Sequence, residues 1–449
     1  QVDGAENGIE AVLELTGEDY QFRNMQGKAY AALSGADMSN LFAALLEGYV
    51  DTSVDLPVLV EGEMWFEISE GATLDMVGEL MISDLFLREV EEEINFDTGV
   101  WGQRNEAGDW RFDLVDMNFA LADQLINNIG LSLQTQGDGV RILSERIAME
   151  DLTQQIQDLG LASEGLSQAL TNLAPRGDIT SASLLLLDDE QGYRWLVEGN
   201  LESSYTQSYG GVPRLENLSG HFFINEEGGE FLIESVDASV HFERLFKQKI
   251  FNRSLQGRVG WRLARDRGEL HVYSDAIQST NEYGAEGVTQ FHLITPINRG
   301  DFYSDLTLIS GMKNGSANLW PLYLPTLSGD SLRNWLEQSG VSGEVPEIGF
   351  IYRGFIREGS EYPKTVQLIG DLMEGELEFA PGWPPMREVK ARFGLSDRRF
   401  YTHAPISQLE GVALVNSDVE INIAEESQLV SSTLLVGELN DIVNLTRYT

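Results

Sequence analysis

The chain has 449 residues, a formal charge of −42, no cysteine, 42% hydrophobic residues, 45 glycines and 12 prolines. That acid excess excludes a binder of phosphate backbones, whose affinity rests on Lys and Arg, and the missing cysteines exclude disulfides, thiolate metal sites and cysteine nucleophiles. The length exceeds one ordinary compact core, so several domains or one elongated repetitive architecture is expected. Its bases are nearly all arginine, the lysines being Lys28, Lys247, Lys249, Lys313, Lys364 and Lys390, as in salt-adapted proteins or by plain acidic drift.

Strand-like runs open the chain at Ile9 to Leu15 and Tyr20 to Leu33, parted by the turn-forming Gly17-Glu-Asp. No signal peptide precedes them, and the start at Gln1 reads as that of a processed piece. From Asp37 to Gly48 the period changes, with Leu41, Phe42, Leu45 and Leu46 on one helical face. Strands then resume over Val58 to Ile68, Thr73 to Leu87, Val90 to Thr98, Val100 to Arg104, Trp110 to Ala120 and Gly130 to Gln136, with a turn expected at Asp97-Thr-Gly. A helical zone from Ser144 to Leu173, interrupted near Gly160 and Gly165 and closed by Pro175, marks the best candidate boundary.

Beyond it the period of two is clearest, as in Val236, Ala238, Val240 and Phe242, or in Val259, Trp261 and Leu263. Arg194, Glu198, Arg258, Arg262, Asp237 and His241 stand between such apolar positions, so one sheet face is expected wet and the other greasy. The pattern breaks at Asn318 to Gly340, NLWPLYLPTLSGDSLRNWLEQSG. Pro321 and Pro325 predict an extended approach there; Leu332, Trp335 and Leu336 then mark the apolar side of a short helix whose charged back is Arg333 and Glu337. Alternation returns from Phe350 to Val436. About two dozen strands at 10–15-residue intervals, with few helices, predict an antiparallel meander and exclude a parallel α/β fold.

No hydrolase elbow, phosphate loop, dinucleotide fingerprint or calcium loop occurs, and His221, His241, His271, His292 and His403 lack ligand spacing. Asp188-Asp189-Glu190, Glu226-Glu227 and Glu91 to Glu93 read as solvated turns. Neither enzyme activity, cofactor nor metal is expected.

The stretch at Asn318 to Gly340, followed by GEVPEIGFIYRG at Gly343 to Gly354 and GELEFAPGWPP at Gly375 to Pro385, resembles the YhdP family of AsmA-like proteins, in the same order. Upstream, LAPRG at Leu173 to Gly177, PRLENLSG at Pro213 to Gly220 and Thr280-Asn281 resemble its central region. The resemblance implies a mainly β fold: a long, twisted antiparallel groove, an open trough of about two dozen strands with a few short helices. Its expected parts are groove segments at 1–142, 176–320 and 341–449, a helical insert at 143–175 and a Pro/Trp-rich crossing at 321–340. It further implies a periplasmic bridge for phospholipid between inner and outer membranes, anchored in the full-length protein to the inner membrane. Partners would be acyl chains and membrane proteins at the two ends, and no nucleic acid.

Groove-lining positions expected on this reading are Trp195, Val197, Phe222, Ile224, Val240, Phe242, Val259, Trp261, Leu263, Val272, Leu306, Leu308, Phe350, Tyr352, Leu368, Phe379 and Phe393. The helix of Leu332, Trp335 and Leu336 would serve as a plug. A β-sandwich core explains the same aromatics more blandly, while a secreted all-β polysaccharide enzyme and an outer-membrane barrel are the alternative classes.

Overall fold

Alternating side chains commit each strand to two faces, and short polar turns commit successive strands to antiparallel neighbours. The computed structural model describes residues 8–17, 25–37, 59–69, 74–86, 93–104, 109–121, 124–136, 139–158, 162–189, 192–243, 245–297, 304–326, 330–356, 364–422, 428–445 and 447–448. Their 23 strands form one antiparallel sheet in which chain neighbours are hydrogen-bonding neighbours. In order these are β1 (Gly8–Gly17), β2 (Met25–Asp37), β3 (Leu59–Ile68), β4 (Leu74–Phe86), β5 (Glu93–Arg104), β6 (Trp110–Leu121), β7 (Gln124–Gln136), β8 (Gly139–Ala148), β9 (Arg176–Asp189), β10 (Gly192–Thr206), β11 (Arg214–Asn225) and β12 (Gly228–His241). There follow β13 (Ile250–Ala264), β14 (Glu269–Ser274), β15 (Ile277–Asn281), β16 (Glu286–Pro296), β17 (Asp305–Ser316), β18 (Ser342–Phe355), β19 (Thr365–Leu377), β20 (Met386–Ser396), β21 (Arg399–Leu409), β22 (Val412–Asn422) and β23 (Gln428–Val436). The short β14 and β15 share one lane between β13 and β16. The sheet is open: among the described residues β1 pairs with β2 and β23 with β22, and the two do not pair with each other. A barrel is thereby excluded.

Five short helices interrupt the strands among the described residues: α1 (Met149–Asp158), α2 (Glu164–Leu173), α3 (Trp320–Tyr323), α4 (Asp330–Ser339) and α5 (Leu439–Leu445). None is long and apolar enough to cross a membrane. By packing, the chain divides into two compact units, one of residues 1–167, 178–200 and 223–226 and the other of 168–177, 201–222 and 227–449.

Several expectations need correction. Asp97-Thr-Gly is no turn but lies inside the continuous β5, where the ladder to β6 slips one residue between Asp97 and Gly99. Thr98 is buried there, and its hydroxyl donates to the Val115 carbonyl at 3.2 Å, which holds the kink. Ser144 to Ala148 belong to β8, with Ile147 opposite Ile179; the β-branched partner outweighs the local helical spacing. Pro321 sits in the first turn of α3, after a 3₁₀ turn at Ala317–Leu319, so the approach is helical. A first-turn proline loses only an N–H that has no intrahelical partner. The helix expected at Asp37 to Gly48 falls almost wholly outside the described residues.

One recurrent device shapes the sheet. Asp116, Ser181, Ser203, Asn217, Asp237, Asn314, Glu374, Glu388 and Asn416 all lie within strands, with φ between 50° and 57°. Beside Asp116, Glu374, Glu388 and Asn416 a ladder slips by one residue, a bulge that bends the strand and raises its twist, and after several of the nine the next side chain turns inward. Met117, Ser204, Leu218, Ala238, Val389 and Ser417, each directly after one, are buried. In β12 this separates Val236, which is 69% exposed, from Val240, which packs with Leu218 and Ile233 on the other face. The single face expected for Val236, Ala238, Val240 and Phe242 is thus split at Asp237.

Asn217 tolerates this backbone because its amide donates across the ladder to the Val236 carbonyl at 3.0 Å. Asn217→Ala is expected to cost about 1–2 kcal/mol, from the left-handed backbone and the lost hydrogen bond. Asn217→Gly, which removes the backbone penalty, is expected to cost less. Urea midpoints of the two variants check this, and an alanine variant as stable as the parent would mean the residue sets nothing.

Candidate functional site

Register decides which side chains share a face. In β13, Val259 stands opposite Phe231 and Ser274, Trp261 opposite Gly229 and Val272, and Leu263 opposite Leu270. From β14 the same face continues through Val272 opposite Leu293, then Leu293 opposite Leu306, and Phe291 opposite Leu308. Leu308 faces Tyr352, Phe350 faces Leu368, Leu368 faces Leu395, and Phe393 faces Gly370. The Phe393 ring lies over Gly370, where an added Cβ would come within 2.7 Å of it, so glycine makes room for the aromatic. Tyr352, half-buried on this face, donates to the Phe355 carbonyl at 2.8 Å, and burial pushes its phenol pKa up.

The opposite face is ion-paired and mostly polar, with Ile309, Ile351 and Ile369 also exposed on it. Arg258 reaches Asp275 at 2.7 Å and Glu230 at 3.3 Å. Arg392 reaches Asp371 at 2.8 Å, and Arg399 reaches Glu420 at 2.6 Å. The arginine hydrogen bonds hold the Asp371 and Glu420 carboxyls below their ordinary range. These pairs are solvent-exposed and worth little singly; their use is to keep one face wet. His271 and His292, expected to stand apart, meet here with ring nitrogens 3.3 Å apart, and His271 also touches Glu269 at 3.3 Å. Among the described residues no group of side chains is arranged to hold a metal.

Most of the expected lining residues therefore share one face. Val259, Trp261, Leu263, Val272, Leu306, Leu308, Phe350, Tyr352, Leu368 and Phe393 do so by register, and Phe222 and Ile224 follow in step from the buried Leu218. Trp195 and Val197 alternate together in β10, where the Trp195 N–H donates to the Glu226 carboxylate. Phe242 and Phe379 lie just past the ends of β12 and β19, both exposed, because those strands stop at His241 and Leu377. Phe231, Phe291 and Ile348 were not expected but lie on the apolar face; the Phe-His-Leu-Ile alternation from Phe291 was the overlooked signal for one of them.

The 1–167 unit carries its own apolar face. Ala29, Phe66, Met76 and Gly102 align across β2 to β5, and Phe112, Leu133, Ile142 and Leu184 across β6 to β9. None of these is among the lining positions expected from the sequence.

The α4 helix is oriented otherwise than its spacing implied. Arg333 is 7% exposed and donates to the Pro325 carbonyl at 3.2 Å, while Leu332 and Trp335 stand exposed. The need to cap the carbonyls of the preceding turn has drawn the guanidinium inward. The Trp335 indole N–H donates to the Phe379 carbonyl at 3.0 Å, and Tyr323 from α3 pairs with Asn281 at 2.6 Å. Both anchors hold the crossing at strand ends.

A family model described as YhdP protein matches residues 3–449. The chain belongs to the YhdP family. Neither a curated protein nor a solved structure matches it. The YhdP match thus runs through both compact units and covers every strand of the open sheet.

Proposed function

We propose that the apolar face carries phospholipid acyl chains and that the protein moves phospholipid between the inner and outer membranes of a Gram-negative envelope, in the periplasm. One observation carries the reading. Strand after strand turns a large apolar side chain to the same side, from Trp261 through Val272, Leu308, Tyr352 and Leu368. Exposed apolar surface of that extent needs a partner, and acyl chains match a face that is hydrocarbon-like across many strands with few fixed polar groups. On this reading Trp195, Val197, Phe222, Ile224, Val240, Val259, Trp261, Leu263 and their neighbours touch lipid. The exposed Leu332 and Trp335 of α4, with Leu336, are a plug at the strand ends.

A photo-crosslinking residue placed singly at positions 258 to 263 in cells tests this. Phospholipid adducts are expected at 259, 261 and 263 and absent at 258 and 262, because side chains alternate along β13. Mass spectrometry of the natively isolated chain should find phospholipid bound. Adducts on both faces alike, or none with the protein folded, would overturn the reading.

A further inference from the structure

The polar face of the 1–167 unit carries a continuous apolar row. Val12, Tyr30, Trp65, Val77 and Trp101 are direct cross-strand partners over β1 to β5. They lie on the side opposite Phe66 and Met76, and Trp65 and Val77 are 48% and 54% exposed. The Tyr30 and Trp65 rings are 5.4 Å apart, so the row is a packed ridge.

Two residues to one side along the strands stand Glu10, Glu63 and Glu79; two residues to the other stand Glu14, Glu67 and Asp75, with Lys28 the base among them. At about 3.3 Å per residue the two carboxylate rows are about 13 Å apart, and four strand spacings of about 4.8 Å make the apolar row about 19 Å long. An α-helix is 10–12 Å wide with its side chains and covers that length in about 13 residues. An anionic membrane surface would be repelled by both flanks.

We propose that this row docks a cationic amphipathic helix of a partner protein, its apolar stripe laid across the strands on Trp65 and Val77 and its flanking Lys and Arg set against the two carboxylate rows. The mode is helix on a ridge with charge on both sides, and orientation follows from the charges more than affinity does. The proposal is independent of the lipid reading, which uses the other face.

The whole chain is titrated with three synthetic 14-residue peptides: one with a Leu stripe flanked by Lys, one with Glu in place of Lys, and one with Ser in place of Leu. Only the Leu/Lys peptide is expected to bind well. Trp65→Ala with Trp101→Ala is expected to weaken it at least about tenfold, as is Glu63→Lys with Glu67→Lys, while Trp261→Asp in the other unit leaves binding unchanged. Circular dichroism confirms that each variant is folded. Equal binding of the Ser/Lys peptide, insensitivity to Trp65→Ala with Trp101→Ala, loss through Trp261→Asp, or preferential binding of phosphatidylglycerol vesicles through the same tryptophans would overturn the proposal.

Discussion

Trp261→Asp is expected to stop phospholipid passage while the sheet stays folded. Trp261 lies in β13 on the apolar face, and its direct ladder partners there, Gly229 and Val272, carry no charge. An ionised carboxylate held against acyl chains without a partner costs on the order of 3 kcal/mol or more, which is at least about a hundredfold in occupancy. The same substitution at Arg262, on the polar face, should do far less, since an added carboxylate there stays in water. Transfer of labelled phospholipid between donor and acceptor vesicles, with bound lipid measured by mass spectrometry, separates the two variants. Equal transfer by Trp261→Asp and the parent would show that lipid does not travel along this face.

Salt is expected to raise the melting temperature by at least about 5 °C between 0.05 and 1 M NaCl, where the Debye length falls to about 3 Å. The formal charge of −42 supplies a general repulsion, and the register adds specific ones. Glu63 lies directly opposite Glu79, and Glu67 directly opposite Asp75, a placement that destabilises an antiparallel ladder. Screening also weakens the exposed arginine pairs, but 72 acids against 30 bases leave repulsion in excess. Glu63→Lys should therefore stabilise the chain in 0.05 M salt and lose that advantage in 1 M. A flat melting curve over this range would mean that the charges are too dispersed to matter.

Where a strand is regular, its face was legible in the residues. Gln256 to Ala264 alternates without interruption, and Val259, Trp261 and Leu263 fall together as the period of two requires. Legibility failed where geometry depends on a partner outside the local window. Asp97-Thr-Gly has turn-forming residues, yet the Thr98 bond to the Val115 carbonyl keeps it in a strand. The α4 helix has a clear apolar stripe, yet a carbonyl at Pro325 takes Arg333 and leaves Leu332 outside. The like-charged neighbours of β3 and β4, and the meeting of His271 with His292, are properties of register that no single strand reveals.

The left-handed residues inside the strands act on the sheet much as a reading frame acts on a message. Removing Asp237 alone would leave the chain free to pair as a strand, but every side chain after it in β12 would exchange sides, turning Val240 away from Leu218 and Ile233. Hydrogen bonding senses no such error, because backbone ladders are blind to side-chain identity. Among relatives, then, single-residue gaps within strands should come in compensating pairs that bracket these positions, whereas loops between strands can gain or lose residues in any number.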